Sequence, residues 1–266
     1  MTNSPSLRVG LLGFGSIGAK VASELDAGAV PGARVAAVLR RRADAGPSAV
    51  DSLAELLRRC DVVVEAAGPA VLREVAAQVL DTGRDLVAVS VGGLFEDGFV
   101  DRLPRRGRLV LCSGAIGGLD LLRAAAFAGP LRRVRITSRK KPRSLLQPWM
   151  EAWVADRLKT MEPGDEPVEL FDGGVAQAVQ LFPNNVNVAA TVAFAAGDRA
   201  LVEVCVVADP AATRTAHVIE IDGSIGSYRF EIANDPSPRN PASSAVVAYS
   251  VLRSIADLRA TGVRIG

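Results

Sequence analysis

Two features of this sequence could do chemistry: a glycine-rich turn near the start and a single histidine, His217, near the end. In the stretch GLLGFGSIG, the glycines at 13, 15 and 18 fit G-x-G-x-x-G between an apolar run and a helical repeat. There the first glycine permits a tight turn, the second lets the backbone approach a pyrophosphate, and the third lets helix and strand pack closely. The alternative is a strand-helix turn with no ligand. The dinucleotide contacts that we expect in this turn are Gly13, Gly15, Ser16 and Ile17.

The arginines after the second predicted strand bear on the choice of dinucleotide. In proteins that prefer NAD, an acidic side chain about 20 residues after the glycines binds the ribose 2'-hydroxyl. This chain has Arg40, Arg41 and Arg42 at that place, with no acid before Asp44. Because a guanidinium suits a 2'-phosphate, we expect Arg40 and Arg41 to bind the cofactor and NADP to be favoured over NAD. A solvated basic loop that accepts either cofactor is the alternative.

His217 is the obvious proton handler, because an unperturbed imidazole titrates near pH 6.5 and can accept or donate a proton at neutral pH. A solitary histidine in a strand is also a common structural residue, so the residue type alone leaves both readings open. A basic cluster at Arg139, Lys140, Lys141 and Arg143 could bind carboxylates, with Lys140 the first choice. The alternative for this cluster is a solvated strand end.

The pattern of elements predicts two domains. Between residue 7 and about 117, short β-branched runs alternate with alanine- and leucine-rich helical stretches, which predicts an α/β, Rossmann-type doubly wound parallel sheet over residues 1–117. Residues 118–240 contain longer strands with period-two alternation, which predicts a second α+β domain with a mostly antiparallel sheet for substrate binding and dimerisation. A final helix over 241–266, with Asn240 as its cap, is expected to pack back on the first domain.

Residues at the ends of the first-domain strands should face the cofactor. The stretch VVVEAAGP places Ala66 and Ala67 at the carboxyl end of a strand, where we expect cofactor contacts. For Glu65, a ribose contact and a structural hydrogen bond are both open.

Composition excludes several classes of function. The 31 basic and 29 acidic residues leave a net charge of +2, too small to predict nucleic-acid or membrane binding. With one histidine and the widely spaced Cys60, Cys112 and Cys205, we expect neither a metal site nor disulfides. We therefore expect a cytoplasmic protein whose partners are small molecules and further copies of itself.

Several stretches together make the sequence resemble the L-aspartate dehydrogenase family over almost its whole length. The most specific parts are SGAIGGLD, the FPNNVNVAA run, the histidine before IEIDG, and NDPSPRNP. The stretches that carry the resemblance are CSGAIGGLD (112–120), SRKKPRSL (138–145), FDGGVAQAVQLFPNNVNVAATVAFA (171–195), VVADPAATRTAHVIEIDGSIG (206–226) and NDPSPRNPASS (234–244).

The resemblance implies NAD(P)-dependent oxidative deamination of L-aspartate to iminoaspartate, which water converts to oxaloacetate and ammonia, and the reverse reductive amination. The product iminoaspartate can feed NAD biosynthesis. The resemblance also implies a homodimer. It implies that Ala115 and Asn187 contact the cofactor near the nicotinamide and that His217 is the catalytic general acid and base. Asn187 and His217 would then also bind substrate, together with Lys140.

The chain departs from the family pattern at three places. Gln177 stands where glutamate is common, the basic segment reads RKKPR, and Thr215 stands where the family often has asparagine. These departures leave two alternatives open. One is an NADP-dependent reductase of another imine or carbonyl substrate, and the other is a non-catalytic NADP-binding protein.

Overall fold

The computed structural model describes residues 6–40, 48–96, 98–183 and 185–259. The chain forms two compact units, Met1–Gly114 with Val247–Gly266, and Ala115–Val246. Arg41 lies outside the described residues, so its expected contact with the cofactor stays a prediction.

A six-stranded parallel sheet forms the first unit. Its strand order is β3-β2-β1-β4-β5-β6, the order of the Rossmann fold, which confirms the predicted fold class. The strands are β1 (Leu7–Leu12), β2 (Ala33–Leu39), β3 (Ala49–Val50), β4 (Val62–Glu65), β5 (Asp85–Ala88) and β6 (Leu109–Leu111), and the helices between them are α1 (Ser16–Asp26), α2 (Leu53–Arg59) and α3 (Pro69–Asp81).

A five-stranded sheet forms the second unit, in the order β11-β10-β7-β9-β8. Neighbouring strands are antiparallel except β7 and β9, which confirms the predicted mostly antiparallel sheet. Its strands are β7 (Leu131–Lys140), β8 (Val168–Gly174), β9 (Val202–Ala208), β10 (Thr215–Gly223) and β11 (Gly226–Asn234), followed by a short pair, β12 (Pro236–Ser237) and β13 (Asn240–Ser244). The helices are α4 (Leu119–Ala128), α5 (Ala152–Thr160), α6 (Val175–Leu181) and α7 (Asn187–Ala196).

The two faces of this second sheet differ in character. Along β10, His217, Ile219 and Ile221 are buried at every second position, and α4 packs against this strand. Along β7, Ser138 and Lys140 belong to the buried set, and α7 packs against β7 and β9. Because strand side chains alternate between faces, the polar residues His217, Ser138 and Lys140 share one covered face.

The last helix, α8 (Val246–Arg259), belongs to the core of the first unit. Its buried residues, among them Val251 and Ile255, pack in one apolar cluster with Val9 and Leu11 of β1. Among the described residues, every helix is too short or too polar to span a bilayer.

The helix predicted to begin at residue 241 instead begins at Val246. Residues Asn240–Ser244 form a strand that pairs with β12, so Asn240 is a strand residue and does not cap the helix. The reason is strand pairing, because Asn240 and Ser244 are placed opposite Ser237 and Pro236 of β12.

Candidate active site

The glycine turn after β1 has the geometry that its spacing predicts. Gly13 has a φ of +98°, and a Cβ there would lie 2.6 Å from the carbonyl oxygen of Ala66. A Cβ on Gly18 would lie 2.2 Å from the carbonyl oxygen of Gly13. A Cβ on Gly15 would meet no other described atom within 4 Å. Two glycines are therefore required by packing, whereas Gly15 leaves the backbone open to an approaching group.

The start of α1 fits the diphosphate of a dinucleotide. Gly15 is the N-cap residue of α1, and within the described chain no side chain caps the helix there and its first turn carries no acid. The N-terminal N–H groups of a helix favour an anion at this position. Ser16 and Ile17 begin the helix, and Ile17 also packs against the apolar core of the first unit. The residues present therefore fit the predicted cofactor.

The loop after β4 is fixed beside this turn by Glu65. The Glu65 carboxylate is fully buried and accepts hydrogen bonds from the backbone N–H groups of Ala67 at 2.7 Å and Gly68 at 2.9 Å. It also accepts from the backbone N–H and the hydroxyl of Ser90. Of the two roles predicted for Glu65, its described contacts match the structural hydrogen bond and not the ribose contact. These hydrogen bonds hold Ala66 and Ala67 in place against Gly13.

Arg40 lies next to the glycine turn. The N–H of Gly13 donates to the carbonyl oxygen of Leu39 at 2.9 Å, which holds the end of β2 against the turn. The guanidinium carbon of Arg40 lies 5.2 Å from the centroid of the Phe14 ring, within the range of a cation-π contact. Its charge is thus close to the expected position of the dinucleotide.

His217 lies on the covered face of the second sheet, paired with Ser138. The two residues are directly opposite each other in the register of β10 and β7, and their Nδ1 and Oγ atoms form a 2.9 Å hydrogen bond. Each is only 2% exposed. Burial, and next the positive charge of Lys140, lower the pKa of His217 to about 3. The pKa near 6.5 of an unperturbed imidazole therefore does not apply to His217, and its ring is uncharged at neutral pH in the protein without substrate.

Lys140 follows two residues after Ser138 on the same face and is buried, which rules out the alternative of a solvated strand end at this residue. Its ammonium donates to the carbonyl oxygen of Asn185 at 3.3 Å. The Asn185 side chain in turn donates to the carbonyl oxygen of Ser144 at 2.9 Å. Burial lowers the pKa of Lys140 to about 8. Within the described part of the chain, no carboxylate forms an ion pair with this ammonium.

The two residues implied for the nicotinamide end have defined places in the second unit. Ala115 is buried, and its carbonyl oxygen accepts a 2.8 Å hydrogen bond from the side chain of Asn234. Asn187 is the first residue of α7, and its carbonyl oxygen accepts a hydrogen bond from the Thr191 hydroxyl.

A cationic cavity of about 310 Å³ opens beside the β10 end of this site. Lys141, Arg143 and Arg214 line it, and Thr215 lies on the same strand face as His217, two residues earlier. Two of these cations have partners: Arg214 is paired with Asp235 at 2.7 Å, and Arg143 donates to a backbone carbonyl.

A second group of potential ligand atoms lies on the opposite face of the same sheet. Oxygen or sulfur atoms of Glu169, Asp172 and Cys205 lie within 4.8 Å of one another. Hydrogen bonds from Arg135 hold the pKa of Asp172 below its usual range, so this carboxylate already faces a cation. The thiols of Cys60, Cys112 and Cys205 are all buried, and none of them forms a disulfide bond within the described part of the chain.

Sequence reasoning missed Ser138 and Asn185. The two-residue period of β7 places Ser138 on the face of Lys140, which was a usable signal. Its pairing with His217 depends on the register of β7 against β10, which the sequence does not determine. Asn185 reaches Lys140 through a backbone carbonyl, and a backbone group has no signature in the sequence.

A parallel sheet whose first strand leads into this glycine turn is typical of enzymes that bind dinucleotides. Comparison of the sequence with known protein families gives the same result. The family model described as "Homoserine dehydrogenase, NAD binding domain" matches residues 13–106. The chain is a dehydrogenase that uses a nicotinamide cofactor.

Its second half identifies the family more closely. The model described as "Aspartate dehydrogenase, C-terminal" matches residues 120–258. An L-aspartate dehydrogenase from Methanopyrus kandleri is 35% identical over 98% of both chains. Another from Ruegeria pomeroyi is 38% identical over 94% of this chain and 91% of its own. The chain belongs to the aspartate dehydrogenase family.

The solved structures give the same assignment. The crystal structure of an aspartate dehydrogenase from Thermotoga maritima has a TM-score of 0.74 to this chain at 27% identity and covers 97% of this chain and 99% of its own. The predicted family resemblance and the fold are both confirmed.

Proposed function

We propose that this protein catalyses the NAD(P)-dependent oxidative deamination of L-aspartate to oxaloacetate and ammonia, and the reverse reductive amination. The observation that carries the proposal is the buried ammonium of Lys140, which has no acidic partner among the described residues and shares a sheet face with His217. The relatives named L-aspartate dehydrogenase support the same substrate.

Lys140 is suited to bind a carboxylate of the substrate. A buried charge without a counter-ion destabilises a protein, and an arriving carboxylate offsets that energy through a charge-assisted hydrogen bond. Asn187 is proposed to assist at this position, as the resemblance implies. In this role Lys140 binds and orients the substrate and does not transfer protons.

The cationic cavity supports a substrate with a second carboxylate. Thr215 and His217 are two residues apart on one strand face, which is a separation of about 7 Å between their Cα atoms. The cavity at Lys141, Arg143 and Arg214 therefore lies within reach of a short dicarboxylic amino acid held near His217.

A bound nicotinamide dinucleotide supplies the acceptor for the hydride that leaves Cα. The N-terminus of α1 at Gly15 would hold its diphosphate, with Gly13, Ser16, Ile17, Ala66 and Ala67 forming the surrounding turns. Ala115 and Asn187 are proposed to contact its nicotinamide end.

His217 manages the protons of the hydrolytic step. Water adds to the carbon of the protonated imine, a C–O bond forms, and the nitrogen keeps the electron pair of the former double bond. The neutral His217 ring takes one proton from that water. When the C–N bond breaks, His217 returns the proton to nitrogen, the C=O bond forms, and the remaining hydroxyl proton leaves with ammonia as ammonium.

We propose NADP as the preferred cofactor, because Arg40 stacks on Phe14 inside the glycine turn. A guanidinium held there can bind a 2'-phosphate, whereas a 2'-hydroxyl gains little from it. Arg41 is proposed to bind the same 2'-phosphate, on the ground of its position next to Arg40 in the sequence.

We also propose that the enzyme works as a homodimer in the cytoplasm. Three buried cysteines that form no disulfide among the described residues suit a reducing compartment. The opposite face of the second sheet carries ion pairs such as Arg133 with Glu203, and charges of both signs allow two copies to pair. Light scattering after size exclusion would measure the mass, and a monomer at working concentration would contradict the dimer.

The assay of the proposed function follows the reduction of NADP⁺ or NAD⁺ with L-aspartate, L-glutamate, L-alanine and L-homoserine as separate substrates. L-Aspartate should give the highest kcat/KM. His217→Ala should lower kcat about 100-fold or more, since general acid-base catalysis contributes about 10²–10⁴-fold. Higher kcat/KM with a monocarboxylic amino acid, or undiminished turnover by His217→Ala, would refute the proposal.

A further inference from the structure

We infer that Ser138 is a positioning residue that holds the ring proton of His217 on Nδ1 and so leaves the Nε2 lone pair for the reacting atoms. The inference rests on the proposed role of His217 as a base. Ser138 lies outside the dinucleotide turn and the cationic cavity, and it enters the chemistry only through His217.

The strand register, rather than a loop, holds this hydrogen bond. Ser138 and His217 are directly opposite in the antiparallel pairing of β7 and β10, where Cβ atoms of opposite residues lie about 4.5–5.5 Å apart. Their 2.9 Å contact is buried, so water does not compete for either group. The register therefore places the hydroxyl beside the ring, and Nδ1 is the ring nitrogen that faces it.

The direction of the hydrogen bond follows from what a base requires. A neutral imidazole has one N–H and one lone pair, and a hydroxyl can donate or accept. With the proton on Nδ1, the ring donates to Ser138 Oγ and Nε2 can accept a proton. With the proton on Nε2, the only lone pair would face Ser138, and His217 could not take a proton from water.

The ring is kept in its neutral form by its surroundings, so the choice of tautomer matters. Burial and the charge of Lys140 both disfavour a doubly protonated ring. A neutral ring has two tautomers, and the hydrogen bond at one nitrogen determines which nitrogen is free. Burial, together with the charge of Lys140, thus keeps the ring neutral, and Ser138 selects the tautomer.

This chain offers an unusually direct test, because it contains one histidine. In protein labelled with nitrogen-15 histidine, the only ring signals are those of His217, and their shifts report which nitrogen carries the proton. We expect an Nδ1-protonated ring in the wild type and in Ser138→Thr, which keeps a hydroxyl. Ser138→Ala should show the Nε2-protonated form or a mixture.

Kinetics give the second readout. Ser138→Ala should lower kcat for aspartate oxidation about 10- to 100-fold, within the range of general-base effects, with KM for aspartate changed less than about twofold. Ser138→Thr should restore most of kcat. Thr137→Ala is the matched control, because it removes a hydroxyl from the next position of β7, on the opposite face, and should change neither kcat nor the ring signals.

Three results would overturn the inference: an Nε2-protonated ring in the wild type, an unchanged ring signal in Ser138→Ala, or wild-type kcat in that variant. If Ser138→Ala does not fold, the inference is tested by the ring signals of the wild type and of Ser138→Thr, which should both show the proton on Nδ1. A wild type that folds, shows the Nδ1 tautomer and does not oxidise aspartate would refute the proposed function and support the role of Ser138 in holding the tautomer.

Discussion

Replacing Lys140 with methionine is predicted to stabilise the protein while it weakens the binding of aspartate. Burial lowers the pKa of Lys140 from 10.5 to about 8, and one pKa unit is about 1.4 kcal/mol, so burial of the charged form lowers the free energy of unfolding by roughly 3 kcal/mol at pH 7. Methionine has a similar unbranched shape and no charge. The variant should therefore gain up to about 3 kcal/mol, in line with other replacements of buried charges.

The pH dependence has a definite sign. The pKa of Lys140 is lower in the folded state than in the unfolded chain, so between about pH 8 and 10.5 the unfolded chain binds more protons. The stability of the wild type therefore rises with pH through that window, and the full destabilisation is present below it. The advantage of Lys140→Met should fall from roughly 3 kcal/mol at pH 7 to about 2 kcal/mol at pH 9.

Urea unfolding followed by circular dichroism at both pH values measures this difference, and initial rates measure KM for L-aspartate. KM should rise at least about tenfold, because a hydrogen bond between charged groups contributes about 1.5–3 kcal/mol. Lys159→Met is the control, since Lys159 is exposed and paired with Asp156 in α5, and its stability should change by less than about 0.5 kcal/mol.

Two outcomes would refute this reasoning. If Lys140→Met is no more stable than the wild type at pH 7, or if its advantage does not shrink towards pH 9, the ammonium is not a buried, uncompensated charge. If KM for aspartate is unchanged, Lys140 does not bind the substrate.

Further predictions concern the first unit. Arg40→Ala should raise KM for NADP about tenfold or more and leave KM for NAD nearly unchanged, whereas Arg34→Ala, exposed at the other end of β2, should change neither; equal effects on both cofactors would remove Arg40 from the phosphate site. Gly13→Ala should lower the urea midpoint, because its Cβ would lie 2.6 Å from a backbone oxygen, whereas Gly15→Ala should fold normally and bind the dinucleotide more weakly by calorimetry. Wild-type stability of Gly13→Ala would contradict the close packing of the turn. Glu65→Gln should lower the free energy of unfolding by about 1–3 kcal/mol, since a buried acceptor of several hydrogen bonds loses its charge, and unchanged urea unfolding would contradict this.

Local patterns predicted the first sheet well, because its signals are short in range. The glycine spacing at Gly13, Gly15 and Gly18 depends on neighbours along the chain, and the alternation of strands and helices follows from burial on both faces of a parallel sheet. The start of α8 was predicted wrongly because the apolar run after Pro241 suggested a helix, while residues Asn240–Ser244 pair with β12.

The site in the second unit could be predicted only in part. His217 and Lys140 stand out by residue type, so sequence reasoning selected both. Their burial, and hence the lowered pKa of each, depends on helices that pack over the sheet from distant parts of the chain. The bond between Ser138 and His217 joins residues far apart in sequence, and only the strand register reveals it.

The return of α8 to the first unit determines when that unit can complete its core during synthesis. Domains generally fold as the ribosome produces them, from the N-terminus onward. Here Val251, Leu252 and Ile255 complete the cluster around Val9 and Leu11, so the nucleotide-binding unit can complete its core only after residue 255 has been synthesised. A chain cut short before Val246 would leave this apolar cluster open to water, and cellular proteases would remove it as an unfinished product.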